Sequence, residues 1–225
     1  MIDESRSRGD MKFRPDRKSI DLKIEEGVYP EGRKVLDEDG NEITANEPRA
    51  MVDLSDMDGV ADVKFLHYGS GKFEPEGLKY LKTEPLGACV ALTLWHPESK
   101  IGIIAHFAIT NNAASGTSIV FDKIRDAGLN ASSFQARLFG GSNENDDSKA
   151  RSQRLVQDIW QKLSDDSVPL LETDLYGANV RCIALNLEGG EACDYPYEEA
   201  STTKNDTPVD NVKMPIRSLP KLPNY

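Results

Sequence analysis

Three residues near the middle of this 225-residue chain have the types and spacing for one shared reaction: Cys89, His106 and Thr83. A cysteine attacks an acyl carbon as its thiolate, so it needs a neighbouring base and donors placed for the oxyanion that forms. Cys89 closes the run Thr-Glu-Pro-Leu-Gly-Ala-Cys. A proline and the small pair Gly87 and Ala88 put the thiol where a turn enters a strand. Backbone N–H groups at that point precede the ladder and can point at an oxyanion. His106 sits in the next apolar run, IGIIAHFAI, after the turn PESK. A hairpin turning near Glu98 and Ser99 would bring Cys89 and His106 to the same end. Thr83 ends the short strand leading into the cysteine loop, where its hydroxyl could orient the imidazole.

Each of these residues also has a plainer reading. A cysteine opening a buried strand is, taken alone, more often a small core hydrophobe. An isolated histidine in a strand is more often a core residue satisfied by a carbonyl, and a threonine there is usually just a strand former. Of the other histidines, His67 is a weaker second candidate for the base, and His96, beside the turn, is expected to be solvent-exposed. Gly140 and Gly141, followed by Ser142 and Asn143, could let a substrate backbone approach and offer it hydrogen bonds, or could be a plain turn. Arg181 could fix a carboxylate or a loop carbonyl, and Asp174 could anchor a turn through backbone hydrogen bonds. Cys182 and Cys193 read as structural.

The elements that must position these groups follow from the hydrophobic pattern. GACVALTLWHP and IGIIAHFAI are near-continuous apolar runs with β-branched and aromatic residues, as in buried strands. ADVKFLHYGSGKF alternates as a single strand, and Leu78 to Thr83 forms another. SGTSIVFDKIRDAGLN has helical spacing, with Ser115 or Thr117 able to cap it. In SQRLVQDIWQKLSDD, Leu155, Val156, Ile159, Trp160 and Leu163 share one stripe, the clearest helix in the chain. FQARLFGG, VPLLETDL and VRCIALNLEGG read as strands, the last two joined by a turn at Gly177 and Asn179. The fold class is α/β with mostly antiparallel pairing and helices packed on the sheet. Residues 1–57, mixing charges with Gly and Pro, read as a loosely ordered arm in which DEDGNE could seat one hairpin turn. Residues 58–197 form the domain, and 198–225, rich in Pro and polar residues, a disordered tail.

Composition narrows the function classes. A net charge of -11 argues against nucleic acid and against an anionic membrane surface. The N-terminus lacks a signal-peptide core, and no segment approaches the roughly 20 apolar residues of a membrane span, so a cytoplasmic protein is expected. Three cysteines without CxxC spacing fit neither a zinc site nor a disulfide framework.

The stretch TEPLGACVALTLWHPESKIGIIAHF resembles the CheD family of chemoreceptor glutamine deamidases, which carry Leu-Gly-Ser-Cys-Val, a hydrophobic strand, a turn and an Ala-His-Phe-like strand. ARLFGGSN is similar to that family's Gly-Gly-Ala-Asn loop, KARSQRLV to its Gly-x-Arg-Asn helix start, and VPLLETDLYGANVR to its Leu-x-x-Asp-x-Gly-Gly-x-x-x-Arg segment. The likeness spans roughly residues 60 to 195. The family's catalytic Cys, His and Thr fall on Cys89, His106 and Thr83. Ala88 stands where the family has Ser, Ser152 where it generally has Asn, and Tyr176 and Ala178 alter the Gly-Gly turn.

The resemblance implies a layered α-β-β sandwich related to cytotoxic deamidase toxins. It also implies a protein glutamine as substrate, on a helical chemoreceptor, with no metal or organic cofactor. A thiolate at Cys89, stabilised by the charged form of His106, would attack the side-chain amide, with N–H groups around Gly87 to Cys89 holding the oxyanion. Two other readings stay open: a non-catalytic module docking on a CheC-like phosphatase or another partner, and a deamidase effector acting on a host protein.

Overall fold

The computed structural model describes residues 18–24, 31–55, 57–63, 66–70, 77–108, 113–142 and 145–197. In chain order the strands are β1 (Gly32–Leu36), β2 (Glu42–Thr44), β3 (Val60–Val63), β4 (Leu66–Ser70), β5 (Tyr80–Thr83), β6 (Val90–His96), β7 (Ile101–Phe107), β8 (Gln135–Gly140), β9 (Leu170–Leu175), β10 (Ile183–Asn186) and β11 (Ala192–Asp194). Helix α1 (Ala113–Asp126) follows β7, and α2 (Asp146–Asp165) follows β8. They build a seven-stranded sheet, β2-β1-β9-β8-β6-β7-β4, and a four-stranded sheet, β11-β10-β5-β3. All pairings are antiparallel except β8 with β9 and β3 with β5.

Every residue of β6 is buried because the strand is central and covered on both faces. Val90, Leu92 and Leu94 share one core with Val120, Phe121 and Ile124 of α1 and Leu155, Val156, Ile159 and Leu163 of α2. Period-two alternation sends Ala91, Thr93 and Trp95 the other way. There Trp95 joins Ile104 of β7, Leu81 of β5 and Leu185 of β10, and Ala91 joins Phe139, Ile183 and Ala192. The molecule is therefore layered helices, large sheet, small sheet, a mixed α/β sandwich. Helix α2 is fixed at its start by Asn145, whose side chain accepts from Ser148 N while the Ser148 hydroxyl accepts from Asn145 N.

Four features depart from the sequence expectations. The alternating run from Ala61 is two strands in different sheets, β3 beside β5 and β4 at the edge beside β7, because alternation reports a two-faced strand and not which sheet receives it. Likewise β9 and β10 are no hairpin: the Gly177–Asn179 segment carries the chain from the large sheet to the small one. The small sheet gains β11, only three residues long. The segment taken as a loose arm also contributes structure. DEDGNE does turn between β1 and β2, but β1 then pairs with β9 inside the large sheet, and Ile20, Leu22 and Ile24 join the helix-side core. The charges that mark this stretch as solvated find partners instead: Arg33 Nε lies 2.7 Å from Glu172 Oε1 on β9.

Candidate active site

The turn Leu86–Cys89 is held by its carbonyls. Gly87 O accepts from Ser142 N at 2.9 Å and Cys89 O from Gly141 N at 2.7 Å. Ala88 O accepts from the hydroxyl of Ser152, on α2, at 2.8 Å. Leu86 exchanges two backbone hydrogen bonds with Arg181, 2.7 and 3.1 Å. With the carbonyls drawn toward β8 and α2, neither Gly87 nor Ala88 donates its N–H to another backbone carbonyl among the described residues. These are the donors an oxyanion would use.

Gly140 and Gly141 serve this turn. Gly140 has φ +103°, and a Cβ there would lie 2.2 Å from Cys89 O. The close approach is made by the chain's own cysteine carbonyl. Ser142 is buried, and its hydroxyl has no hydrogen-bond partner among the described residues. Asn143, the fourth member of that loop, lies outside the described residues. Ser152, read only as a departure from a family pattern, is fully buried and bridges Ala88 O and Ser148 O. Tyr176, where the resembled family has glycine, has φ +62°. Its N–H donates to Gly140 O at 2.9 Å and its carbonyl accepts from Arg181 Nη2 at 2.7 Å, so the left-handed turn is kept with a larger side chain.

The ladder places the base. His106 pairs with Ala91 across β6 and β7, and Cys89 is two residues ahead of Ala91, so both emerge on the face toward the small sheet. Cys89 is half-buried and packs on the cluster of Leu86, Ala91, Phe139, Ile183 and Ala192. His106 Nδ1 is buried with no hydrogen-bond partner among the described residues. Burial holds the ring below its usual pKa, and the carboxylate of Glu84 pulls the other way. Burial thus favours the neutral, proton-accepting form of the imidazole.

Thr83 is buried at the end of β5, on the same strand face as Leu81, which meets Ile104 of β7. Its hydroxyl makes only long contacts, 3.4 Å each, with the N–H and carbonyl of Ile183, and its own carbonyl accepts a hydrogen bond from Tyr195 Oη. No hydrogen bond joins it to His106 in this arrangement.

The remaining candidates separate. His96, expected at the surface, is buried at 7% exposure. Its ring stands edge-on to Phe134 at 5.0 Å, and its Nδ1 lies 3.0 Å from Ser99 Oγ. Its even position in β6 turns it into the helix-side core with Val90 and Leu94. His67 lies on edge strand β4, opposite Ile104. Asp174 pairs with Arg181 at 2.8 Å and with Arg49, so both lie in an ion network. Cys182 and Cys193 are buried, and burial pushes both thiols up, which keeps them protonated and unreactive. Arg49 escaped the sequence reading altogether. Among the described residues, no helix is long and apolar enough to cross a membrane.

No family model matches the sequence. Among curated proteins the chain is 29% identical over 153 residues to a probable chemoreceptor glutamine deamidase, CheD 1, of Chromobacterium violaceum, covering 60% of this chain and 78% of that protein. It is 26% identical over 126 residues to the chemoreceptor glutamine deamidase CheD of Halalkalibacterium halodurans, covering 48% and 78%. A solved structure, hypothetical protein YfiH of Bacillus licheniformis, matches 45% of this chain and 51% of its own length with TM-score 0.31 and 15% identity, too loose a likeness to bear on the fold. Distant but consistent homology, 25–36% identical over parts of the chain, therefore links this protein to several CheD-family chemoreceptor glutamine deamidases.

Proposed function

We propose that this protein is a protein glutamine deamidase in which Cys89 is the nucleophile and His106 the general base, acting on glutamine side chains of a chemoreceptor-like protein. The observation that carries the reading is that Cys89, one residue ahead of β6, packs on the cluster around Ala91, and Ala91 is the ladder partner of His106. The homologous chemoreceptor glutamine deamidases supply the amide class and the receptor.

Neutral His106 takes the Cys89 proton as sulfur adds to the glutamine Cδ, and the amide oxygen becomes an oxyanion held by the N–H groups of Gly87 and Ala88. The imidazolium then protonates the departing nitrogen, the C–N bond breaks, and ammonia leaves a thioester on Cys89. Water, deprotonated by the same imidazole, adds to the thioester and releases glutamate and the thiol. The net reaction is one amide and one water to one carboxylic acid and one ammonia. Thr83, buried at the end of β5, would orient the His106 ring through its hydroxyl, in a rotamer other than the one that contacts Ile183. Ser142, whose buried hydroxyl has no hydrogen-bond partner among the described residues, would hold the substrate amide or its backbone.

The test is intact-mass and peptide-mass analysis of purified chemoreceptor cytoplasmic fragments incubated with wild type and Cys89→Ala. The expected result is a gain of about 1 Da at individual glutamines, the amide-to-acid change of this chemistry, with wild type only. Gain at the same rate with Cys89→Ala, or none with either, would refute the assignment.

A further inference from the structure

A network of buried charges lies along one edge of the layer between the sheets, and the residue that organises it comes from the segment ahead of the family likeness. Building on Cys89 as the nucleophile, we propose that Arg49 is a positioning residue for it. Arg49 holds the Leu86–Cys89 turn through Asp174 and Arg181 on one route and through Phe139 on another.

The Arg49 side chain is 3% exposed, a burial a guanidinium tolerates only when its charge is matched; its Nε, though close to a carboxylate, makes no hydrogen bond among the described residues. It meets three carboxylates on two sheets. On β9 these are Glu172, whose Oε1 is 3.2 Å from Nε, and Asp174, whose Oδ2 takes both Nη1, at 3.1 Å, and Nη2. On β11 it is Asp194, whose Oδ1 is 3.2 Å from Nη1. Glu172 has two further cations, Arg33 at 2.7 Å and Arg137 at 3.7 Å. Among the described residues Asp194 pairs only with Arg49. One planar fork therefore ties the large sheet to the small one, a geometry a lysine ammonium cannot reproduce.

The first route to the thiol is polar. The other oxygen of Asp174 accepts from Arg181 Nη2 at 2.8 Å. The Arg181 backbone in turn exchanges both hydrogen bonds with Leu86, three residues ahead of Cys89. The second route is through packing. The Arg49 guanidinium lies 4.8 Å above the Phe139 ring. Phe139 belongs to the cluster on which Cys89 packs and pairs with Ala91, the residue that also pairs with His106. Gly87 and Ala88 add little side-chain packing to the turn, which is held by its carbonyl hydrogen bonds and by the buried Leu86 side chain. Arg49 reaches the Leu86 end through Asp174 and Arg181 and the cluster beneath through Phe139.

The experiment uses the full chain as Arg49→Lys, Arg181→Lys and the double variant. It measures peptide-mapped alkylation of Cys89 by iodoacetamide against pH, with thermal unfolding recorded in parallel. Each single variant should slow Cys89 alkylation by about tenfold or more across the pH range, because a misplacement of about 1 Å can cost about 10²-fold in rate. If the two arginines act through one chain, the double variant should fall within about twofold of the slower single. Ile159→Val, in the core beneath α2, should lower the melting temperature without changing the Cys89 profile.

An Arg49→Lys rate within about twofold of wild type, or fully multiplicative losses in the double variant, would overturn the proposal. So would an equal slowing by Ile159→Val. Should Arg49→Lys not fold, Asp174→Asn cuts the same chain with Arg49 in place, and a wild-type Cys89 profile in that variant overturns the proposal equally. The alkylation profile reports the thiol whether or not glutamine is the substrate. Missing deamidation with a reactive, Arg49-dependent Cys89 removes the deamidase reading alone, and a reactive Cys89 indifferent to Arg49 removes the positioning role alone.

Discussion

Replacing Gly140 by alanine should disable the site while leaving the fold recognisable, and the cost can be worked from the geometry. An alanine Cβ would stand 2.2 Å from Cys89 O, and real Cβ contacts essentially never fall under 3.0 Å, so the two must part by at least 0.8 Å (3.0 − 2.2). That carbonyl also accepts the 2.7 Å hydrogen bond from Gly141 N, so it cannot retreat without weakening its own anchor. Holding an L residue at φ +103° costs about 1–3 kcal/mol, and loss of one backbone hydrogen bond about 1 kcal/mol. The sum is about 2–4 kcal/mol of stability, together with a cysteine moved by most of an ångström, a displacement that costs about 10²-fold in rate. Gly141→Ala is the control. It has φ +72° and would meet only side chains, Ser152 Cβ at 3.3 Å and the Tyr176 ring at 3.4 Å, so it should cost about 1–2 kcal/mol in backbone strain and leave Cys89 in place. Urea unfolding gives the stabilities, and alkylation or deamidation rates give the reactivities. Equal effects of the two alanines, or wild-type Cys89 reactivity in Gly140→Ala, would refute the claim that Cys89 O is what Gly140 accommodates.

Other consequences are as direct. Ser152→Ala removes the hydroxyl that lies 2.8 Å from both Ala88 O and Ser148 O and donates to one of them at a time. It should cost about 1 kcal/mol in urea unfolding and lower Cys89 reactivity, and an unchanged unfolding midpoint would count against that anchor. Burial depresses the pKa of both His96 and His106. Their neutral forms therefore favour the folded state above the unfolded value of about 6.5, and that stability is lost as pH falls through it toward the lower folded values. His106→Gln should accordingly flatten the fall of melting temperature between about pH 7.5 and 5.5, and an unaltered slope would show that burial of His106 carries no such cost. Glu172→Gln leaves the guanidiniums of Arg33, Arg49 and Arg137 short of one shared carboxylate, and should destabilise by about 3–5 kcal/mol, where a loss under about 1 kcal/mol would mean that water already screens the cluster.

What could be read from the sequence divides by the range of the interaction that fixes it. The β6–β7 hairpin, both helices and the turn at Cys89 are set by neighbours within a few residues and appear in the expected stretches, although α1 starts at Ala113, ahead of both expected caps, Ser115 and Thr117, and α2 at Asp146, six residues ahead of Ser152. The face shared by Cys89 and His106 follows from the hairpin register alone. The burial of His96 was missed because a residue beside a turn reads as exposed, while its parity in β6 turns it into the helix-side core. The sheet change between β9 and β10 was missed because two adjacent apolar runs joined by a glycine read as a hairpin, whichever sheet accepts them.

The charged residues were misread for one physical reason. In GRKVLDEDGNEITANEPRA each window contains charge without a visible partner, the mark of solvated chain. The partners are far away in sequence: Arg33 meets Glu172 across 139 residues, and Arg49 meets Asp174 across 125 and Asp194 across 145. A signal for them did exist at the other end of each pair. In LLETDL, Glu172 and Asp174 lie two apart on one face of a strand whose other residues, Leu171 apart, are buried. Two carboxylates facing inward must meet cations or stay unfolded, and Arg137 alone, their neighbour on β8, could not match both. The missing positive charge had to arrive from elsewhere in the chain. The arginines of the N-terminal segment could supply it only by being folded against β9, so the acids of β9 make part of that segment a component of the sandwich.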